Sequence, residues 1–302
     1  MEFLKKALAY LLVLRPLNLL IICITQFVFQ YYLIIPLSES VTLKGILFPL
    51  FVLCTVIIAA SGYLINDIID QETDAHNKPQ KQYIGTGISE YFGYFYYLIL
   101  LLTGALLSVY IAYKSNTWNY IGIYPTGIWC MYLYSRYLKS TVLAGNILIS
   151  LFTAGTIGIL GFAQFANDHT LSSHLKSTLI FYMIFVFLSS LIREIVKDAE
   201  DTEGDIQSGL ITFPIHYGLN MTKRTLISLV VLLVIILFYW IGRNSSMFPK
   251  SYIIYIVGLV IVPFAGLLYY LIPSQFPKDF SRISKLIKLI MVTGMASIIF
   301  IS

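Results

Sequence analysis

The chain has 302 residues, of which 58% are hydrophobic and only 12% are charged. Soluble domains carry about 25% charged residues, so this composition excludes a soluble enzyme and is typical of a helical integral membrane protein. The net charge of +5 does not indicate nucleic-acid binding, because the basic residues lie in loops between apolar segments. The three cysteines, Cys23, Cys54 and Cys130, lie inside apolar segments without metal-ligand spacing, and we expect buried free thiols rather than disulfides.

Nine apolar segments are long enough, or nearly long enough, to cross a bilayer. In chain order they are 17–35, 45–65, 91–113, 118–134, 142–164, 175–192, 226–241, 252–272 and 286–301. The fourth and seventh are short, so a count of eight stays open. The pattern predicts an all-α polytopic membrane protein with about nine transmembrane helices.

A dense group of polar side chains follows directly on the second apolar segment. Asn66, Asp70 and Asp74 are spaced i, i+4, i+8, so a continuing helix places them on one face, with Asp67 on its flank. Stacked carboxylates repel one another unless a positive charge lies among them. A hard divalent cation that takes oxygen ligands is the simplest candidate.

A second polar stretch follows the sixth apolar segment with the same internal spacing. Four residues of this stretch are spaced four apart and so share one helical face: Arg193, Lys197, Asp201 and Asp205. Asp198 lies one turn before Asp201. Asp201 and Asp205 follow Asp70 and Asp74 by 131 residues each. Two solvated helix ends would also carry acids, but the matched spacing favours two halves that face each other across one site.

The spacing suggests an internal repeat within a single transmembrane domain, residues 1–302. Its two possible four-helix units cover about 10–140 and 141–273, and a last helix covers 285–302. A weaker match relates Asn18, near the start of the first segment, to Asn146, near the start of the fifth, at an offset of 128 residues.

The lysine and arginine residues indicate the orientation of the chain. With the amino terminus in the cytoplasm, fifteen of the twenty lie on the cytoplasmic side and five on the other. Both acidic stretches then lie on the cytoplasmic side. We expect a multi-pass protein of the cell (inner) membrane whose active site faces the cytoplasm.

Two carboxylate clusters could hold two or three Mg²⁺ ions, and Mg²⁺ prefers a few carboxylates together with phosphate oxygens and water. The pattern therefore points to a phosphate or diphosphate ligand. Four basic side chains could neutralise a departing diphosphate: Lys78, Lys81, Arg193 and Lys197. That Arg193 and Lys197 instead pair with nearby acids or lipid head groups stays open. The 23 tyrosines and 20 phenylalanines include candidates to stabilise an allylic cation.

Three stretches resemble signatures of the UbiA-type intramembrane prenyltransferases, and the resemblance covers essentially the whole chain. They are Asn66-Asp67-x-x-Asp70-x-x-x-Asp74 followed by Asn77-Lys78-Pro79, then Lys197-Asp198-x-x-Asp201-x-x-Gly204-Asp205-x-x-x-Gly209, and the entry to the first helix, Arg15-Pro16-x-Asn18. The resemblance implies an all-α membrane fold with a central cavity. It also implies that prenyl diphosphate binds through Mg²⁺ and that the prenyl group passes to an acceptor.

The resemblance carries roles onto individual residues of this chain. The main catalytic and metal-binding carboxylates are Asp70, Asp74, Asp201 and Asp205, with Asp67 and Asp198 as further metal ligands. Substrate binding is expected of Asn66, Lys78, Lys81, Arg193, Lys197, Arg15, Asn18 and Asn146. The expected partners are the prenyl diphosphate, a lipid or aromatic acceptor and membrane lipids. No nucleic acid and no obligatory protein partner is indicated.

The second signature looks most like the branch that prenylates geranylgeranylglyceryl phosphate to make ether lipids, with release of diphosphate. The phosphate of that acceptor would need basic residues, and the candidates are Arg15, Arg136 and Lys139. The positive charges of Arg136 and Lys139 are also explained by the excess of lysine and arginine on the cytoplasmic side. The alternative is prenylation of an aromatic quinone precursor such as 4-hydroxybenzoate or 1,4-dihydroxy-2-naphthoate. A divalent-cation transporter is a remote alternative, because its acids should lie near the bilayer midplane rather than at helix ends beside lysine and arginine.

Overall fold

The computed structural model describes residues 8–38, 41–77, 82–165 and 172–301. Helices account for nearly all of these residues, and within them β-structure is limited to one bridge between Ile84 and Ile88. A helix pairs every backbone N–H and C=O group within its own segment, which is what a chain must do where lipid offers no hydrogen-bond partners. The predicted all-α membrane architecture is confirmed.

From Pro16 onward the described residues form ten helices, which we number in chain order. They are α1 Pro16–Leu37, α2 Leu47–Ile69, α3 Gln71–Asn77, α4 Glu90–Ser115, α5 120–138, α6 Ala144–Phe165, α7 Ser173–Gln207, α8 Phe213–Asn244, α9 Lys250–Leu271 and α10 Pro277–Phe300. Eight of them, all except α3 and α5, are long and apolar enough to cross a membrane. Each of the nine predicted apolar segments coincides with a helix, and α5, which corresponds to the short fourth segment, is interrupted by Pro125 and a π-helical turn at Tyr134–Leu138.

Several helices are longer than the apolar segments that predicted them. The α7 helix continues through the second polar stretch to Gln207, and α10 begins at Pro277 rather than near residue 286. Helical structure also precedes the seventh apolar segment: α8 begins at Phe213 and is kinked at Gly218, whose φ of 78° and ψ of 162° are not helical. Hydropathy marks only the part of a helix that is buried in lipid, whereas backbone hydrogen bonds continue for as long as the dihedral angles allow.

The chain divides into two compact units that interleave along the sequence. Unit 1 comprises Met1–Phe27, Ser40–Lys139 and Phe162–Thr170, and unit 2 comprises Val28–Glu39, Ser140–Gly161 and Leu171–Ser302. The first acidic stretch therefore belongs to unit 1 and the second to unit 2. The repeat of two four-helix units with a separate last helix stays a prediction.

In unit 1, a buried cluster supports the polar end of α2. Its members come from the segment before α1, from the last turns of α2 and from the turn before α4: Ala9, Val13, Leu64, Ile68, Ile84 and Ile88. Leu64 and Ile68 alternate with the polar side chains of the first stretch, so packing on this side holds the opposite face of the helix in place.

In unit 2, aromatic residues and short polar side chains form the core between α7, α8, α9 and α10. The Tyr182 hydroxyl lies 2.6 Å from Ser297 Oγ, and Trp240 Nε1 donates to the Tyr252 hydroxyl at 3.1 Å. The Phe181 and Trp240 rings stack with centroids 4.2 Å apart. Buried hydroxyls and indoles thus find partners within the bundle.

The three cysteines are free thiols. Cys54 is buried, but Cys23 and Cys130 are partly exposed, so the expectation that all three are buried is wrong for these two. They lie on helix faces that are only partly covered by neighbouring helices.

Candidate functional site

The first acidic stretch lies where α2 is interrupted. The α2 helix ends at Ile69, Asp70 has dihedral angles of φ −89° and ψ 13°, and α3 begins at Gln71. The backbone nevertheless keeps the helical pattern, because Asp70 N donates to Asn66 O and Asp74 N donates to Asp70 O. The expected continuous helix is therefore broken at one residue. The break places Asp70 at the junction of two helices, with only 7% of the residue exposed.

Asp67 is held by a residue from the start of the chain. Arg15 Nη2 donates to Asp67 Oδ1 at 2.7 Å, and the Arg15 guanidinium carbon lies 4.8 Å from the centre of the Tyr63 ring. Arg15 adopts a left-handed φ of 54° immediately before Pro16, which is an unfavourable conformation for a residue with a side chain. This strained turn directs the guanidinium to the flank of the acidic face, at a short, charge-assisted distance.

Asp70 accepts from two side chains at the same oxygen. Asn66 Nδ2 donates to Asp70 Oδ2 at 2.5 Å, and the Lys139 ammonium group forms an ion pair with that oxygen. Lys139 directly follows the π-helical turn of α5, where its N–H donates to Tyr134 O at 2.9 Å. Wide turns of this kind change the direction of a side chain without ending the helix. Lys139, considered from the sequence as an acceptor ligand or a topology marker, is therefore a direct partner of the first motif.

The oxygen atoms of this stretch fit a divalent cation. Asp67 and Asp70 are 9% and 7% exposed, and Asn66 Oδ1 is a buried acceptor that has no hydrogen-bond donor among the described residues. Buried acceptor oxygens without donors are costly, and Mg²⁺ binds carboxylate and amide oxygens. Across residues 8–38, 41–77, 82–165 and 172–301, no group of three His, Cys, Asp or Glu is arranged to hold a metal by itself.

The second acidic stretch repeats one contact of the first. Asn146 Nδ2 donates to Asp198 Oδ2 at 2.7 Å, across 52 residues of sequence, which is the same separation as between Arg15 and Asp67. By this separation the contact of Asn146 matches that of Arg15, and the match of Asn146 with Asn18 stays a prediction. Both side chains donate a hydrogen bond to a motif carboxylate, but Arg15 is a cationic guanidinium and Asn146 is a neutral amide.

Arg193 and Lys197 both contact a residue to which the sequence analysis gave no role. Arg193 Nη1 lies 2.6 Å from Glu194 Oε1, and Lys197 Nζ lies 3.7 Å from Glu194 Oε2. Lys197 follows Glu194 by three residues, a helical spacing that brings the two side chains together. The contact between Arg193 and the adjacent Glu194 is not explained by helical spacing. Both cations therefore pair with a nearby acid in this structure, which is the alternative that the sequence left open.

The α7 helix ends soon after the last carboxylate of the motif, and Gly209 makes this end possible. Leu210 N donates to Asp205 O at 2.9 Å and Gly209 N donates to Ile206 O at 3.1 Å, with Gly209 at φ 69°. This is the Schellman arrangement, which requires a left-handed residue that is usually glycine. Asp205 is thereby fixed in the last turn of the helix, where it is 6% exposed.

The remaining predicted residues have less informative positions. Lys78 and Lys81 lie outside the described residues. Asn18 is partly buried in the first turn of α1, and Arg136 is exposed on the π-helical turn of α5. The structure thus brings together Arg15 with Asp67, Lys139 with Asp70, and Asn146 with Asp198. Sequence reasoning missed Glu194 and the pairing of Lys139, since neither contact follows from the spacing of the motifs alone.

Comparison with known proteins gives the family. A model described as the UbiA prenyltransferase family matches residues 13–285. Digeranylgeranylglyceryl phosphate synthase of Methanobrevibacter smithii is 30% identical over 293 residues, which cover 95% of this chain and 93% of that protein. The synthase of the same description from Saccharolobus solfataricus is 32% identical over 254 residues and 83% of each chain.

Solved structures give the same assignment. One described as "Structural and mechanistic insights into the biosynthesis of Digeranylgeranylglyceryl phosphate synthase in membranes" has a TM-score of 0.66 and 27% identity over 98% of each chain. A UbiA homolog from Archaeoglobus fulgidus bound to GPP and Mg²⁺ has a TM-score of 0.60 over 96% of this chain and 99% of that one, and at 16% identity it supports the fold alone. The chain, an integral multi-pass membrane protein, therefore belongs to the UbiA prenyltransferase family and is a prenyltransferase, as the resemblance of its two acidic motifs implied.

Proposed function

We propose that this prenyltransferase transfers a geranylgeranyl group from geranylgeranyl diphosphate to geranylgeranylglyceryl phosphate. The observation that carries the proposal is the similarity, over nearly the whole length of both chains, to proteins described as digeranylgeranylglyceryl phosphate synthases. In this reaction the bond between C1 of the prenyl chain and the diphosphate oxygen breaks, and the diphosphate leaves with the electron pair. The free glyceryl hydroxyl oxygen bonds to C1 and gives up its proton.

We assign the binding of Mg²⁺ to the carboxylates of the two acidic motifs. They are Asp67, Asp70 and Asp74 in the first and Asp198, Asp201 and Asp205 in the second. When bound, Mg²⁺ would neutralise the charge that develops on the diphosphate oxygens. The support is the buried oxygen set around Asp70, the unpartnered Asn66 Oδ1 within the described residues, and the A. fulgidus homolog that binds both GPP and Mg²⁺.

Basic residues beside these carboxylates are assigned to the phosphate groups of the substrates. Arg15 contacts Asp67 and Lys139 contacts Asp70 when no ligand is present. With a metal ion bound to these carboxylates, Arg15 and Lys139 would be available to donate to phosphate oxygens of the substrates. We further propose that this end of the protein faces the cytoplasm, which rests on the distribution of lysine and arginine.

An acceptor screen tests the proposal. Membranes that contain the protein are supplied with labelled geranylgeranyl diphosphate and Mg²⁺, and with geranylgeranylglyceryl phosphate, 4-hydroxybenzoate or 1,4-dihydroxy-2-naphthoate in separate tubes. We expect label in a digeranylgeranyl glycerophosphate, and none in membranes with the Asp70→Asn variant. Label only in an aromatic product would contradict the proposed acceptor and assign the protein to quinone-precursor prenylation.

A further inference from the structure

The first three turns of α10 differ in composition from the rest of that helix. Four of the eleven residues from Lys278 to Lys288 are basic, and only Asp279 is acidic, whereas the twelve residues from Leu289 to Phe300 carry no charge. The sequence analysis explained these basic residues only by the excess of lysine and arginine on the cytoplasmic side. Their arrangement on the helix indicates a more specific role.

Three of the four basic residues lie on one exposed face of α10, and we call them the basic stripe. Lys278, Arg282 and Lys285 are spaced i, i+4 and i+7, so their side chains project from the same side of the helix, and all three are exposed. The opposite side of these turns is packed within unit 2, because Ile283 and Ile287 are 1% and 0% exposed.

The face that carries the basic stripe continues into the part of α10 that crosses the membrane. Leu289 and Val292 follow Lys285 by four and seven residues, and both are exposed. Because α10 is one of the eight helices that are long and apolar enough to span a bilayer, exposed apolar side chains on it face lipid. The basic stripe therefore lies on the lipid-facing side of α10 and not on the side that packs within the bundle.

The rise of the helix places the basic stripe at the depth of the lipid head groups. Lys285 directly precedes the predicted apolar segment 286–301, and at about 1.5 Å per residue it lies about 6 Å from Leu289 along the axis. The polar region on each side of the hydrocarbon core is roughly 5–8 Å thick, and long basic side chains extend toward it. Lys278 lies about 10 Å beyond Lys285 along the axis, where the potential of a charged membrane surface still acts.

The single acid of this segment has a structural role at the start of α10. Asp279 Oδ2 accepts from the backbone N–H groups of Gln275 and Phe276, both at 3.1 Å, and so satisfies donors that the helix leaves open. Asp279 also lies about 100° around the helix from Lys278, on the flank of the basic stripe. The face directed toward the head groups is therefore positively charged.

We propose that Lys278, Arg282 and Lys285 bind the head groups of anionic phospholipids in the bilayer that surrounds the protein. Ammonium and guanidinium groups donate to phosphate oxygens, and a lipid with a net negative charge is attracted to three cations more strongly than a zwitterionic one. Membrane orientation depends on how many basic residues lie on each side and not on which helix face carries them. The lipid-facing position of the basic stripe is explained by lipid binding, and the proposal holds for either acceptor of the enzyme.

Lipid retention measured by native mass spectrometry tests the proposal. The full chain in detergent is given equal amounts of phosphatidylglycerol and phosphatidylcholine, and the bound lipids of each class are counted. We expect wild type to retain mainly phosphatidylglycerol. The triple variant Lys278→Gln/Arg282→Gln/Lys285→Gln should lower the ratio of the two retained lipids roughly tenfold or more, because each basic residue near an anionic surface contributes about a fivefold preference. Lys278→Arg/Lys285→Arg, which keeps the charges, should leave the ratio unchanged.

The matched control removes three exposed cations from the other ends of the helices, where they form no stripe on one helix: Lys114→Gln/Arg243→Gln/Lys250→Gln. The control should retain phosphatidylglycerol within about twofold of wild type. An equal loss in the control would show an effect of net charge alone and would overturn the proposal, as would an unchanged ratio in the variant of the basic stripe.

A second measurement uses the wild-type protein and does not depend on the folding of a variant. Added salt screens charges at an exposed surface, so the preference for phosphatidylglycerol should fall as the salt concentration rises, while retention of phosphatidylcholine stays constant. Wild-type protein that retains the two lipids equally at low salt would refute the binding of anionic head groups.

Discussion

In the first motif, Asp70 accepts from Asn66 and pairs with Lys139 through the same oxygen. A metal ion that binds Asp70 must compete with this ammonium group. The buried acids of this motif are thus stabilised by the protein's own basic residues, and a metal ion bound here would take the place of these partners. Arg15 and Asp67 form a second pair of this type.

Lys139→Gln removes the cation that competes for Asp70. The Lys139 side chain is 26% exposed, so the pair is partly screened and its coupling is modest. We expect the Mg²⁺ concentration for half-maximal activity to fall roughly two- to fivefold. Titration of Mg²⁺ at saturating substrate concentrations measures this half-maximal concentration. The control is Arg136→Gln, which removes an exposed charge on the same turn. An unchanged or higher Mg²⁺ requirement would contradict competition at Asp70.

Asp70→Asn and Asp201→Asn test whether both motifs act in catalysis. Asparagine keeps the shape of the side chain but removes the charge that holds a metal ion, so we expect kcat to fall by roughly a hundredfold or more in each variant. Glu72→Gln and Glu203→Gln, which change exposed acids close to each motif, should leave kcat within about twofold of wild type. Near wild-type turnover by either aspartate variant, in protein that elutes as a single species in detergent, would exclude that motif from the site.

At the scale of the helices, close packing depends on small residues at particular positions. A Cβ atom added at Gly104 of α4 would lie 2.0 Å from the Tyr124 ring of α5. That ring cannot easily move away, because Tyr124 is 4% exposed and its hydroxyl donates to Leu100 O at 2.8 Å. Glycine at such positions lets membrane helices approach closely.

Gly104→Ala should therefore destabilise the protein by about 1–3 kcal/mol through overpacking. Gly122→Ala is the matched control: it changes α5 at a position where an added Cβ has no atom within 4 Å, and it should be neutral or stabilising by up to about 1 kcal/mol. Thermal unfolding of both variants in the same detergent gives the comparison. Equal stability of the two variants would show that the contact between α4 and α5 is looser than the structure indicates.

At the scale of the whole molecule, metal binding and substrate binding should depend on each other. Asp67, Asp70 and Asp205 are buried, whereas Asp74, Asp198 and Asp201 are partly exposed. Because Mg²⁺ prefers one or two carboxylates together with substrate phosphate oxygens and water, we expect it to bind tightly only when phosphate oxygens complete its coordination.

A thermal-shift experiment tests this dependence. We expect Mg²⁺ alone to change the Tm by little, and Mg²⁺ with inorganic pyrophosphate at about 100 times Kd to raise it by roughly 5 °C. EDTA should reverse the shift and stop prenyl transfer, and added Mg²⁺ should restore both. The full shift with Mg²⁺ alone would indicate a preformed metal site.

Features that depend on neighbours in sequence were predictable from the residues. The apolar segments predicted the helices because lipid forces each segment to satisfy its own backbone. The four-residue spacing predicted that Asp201 and Asp205 share a helical face, and Gly209 ends that helix because its αL conformation is accessible to glycine. The two motifs, with the resemblance they carry, also identified the family.

Contacts between distant parts of the chain were decided by the tertiary structure alone. The sequence contains Lys139 and Asn146, but nothing local relates them to Asp70 or to Asp198. These contacts arise from helix packing within each unit and from local departures such as the π-helical turn before Lys139 and the break at Asp70. Helical periodicity determines which side chains share a face, whereas the packing of one helix against another determines which charges that face meets.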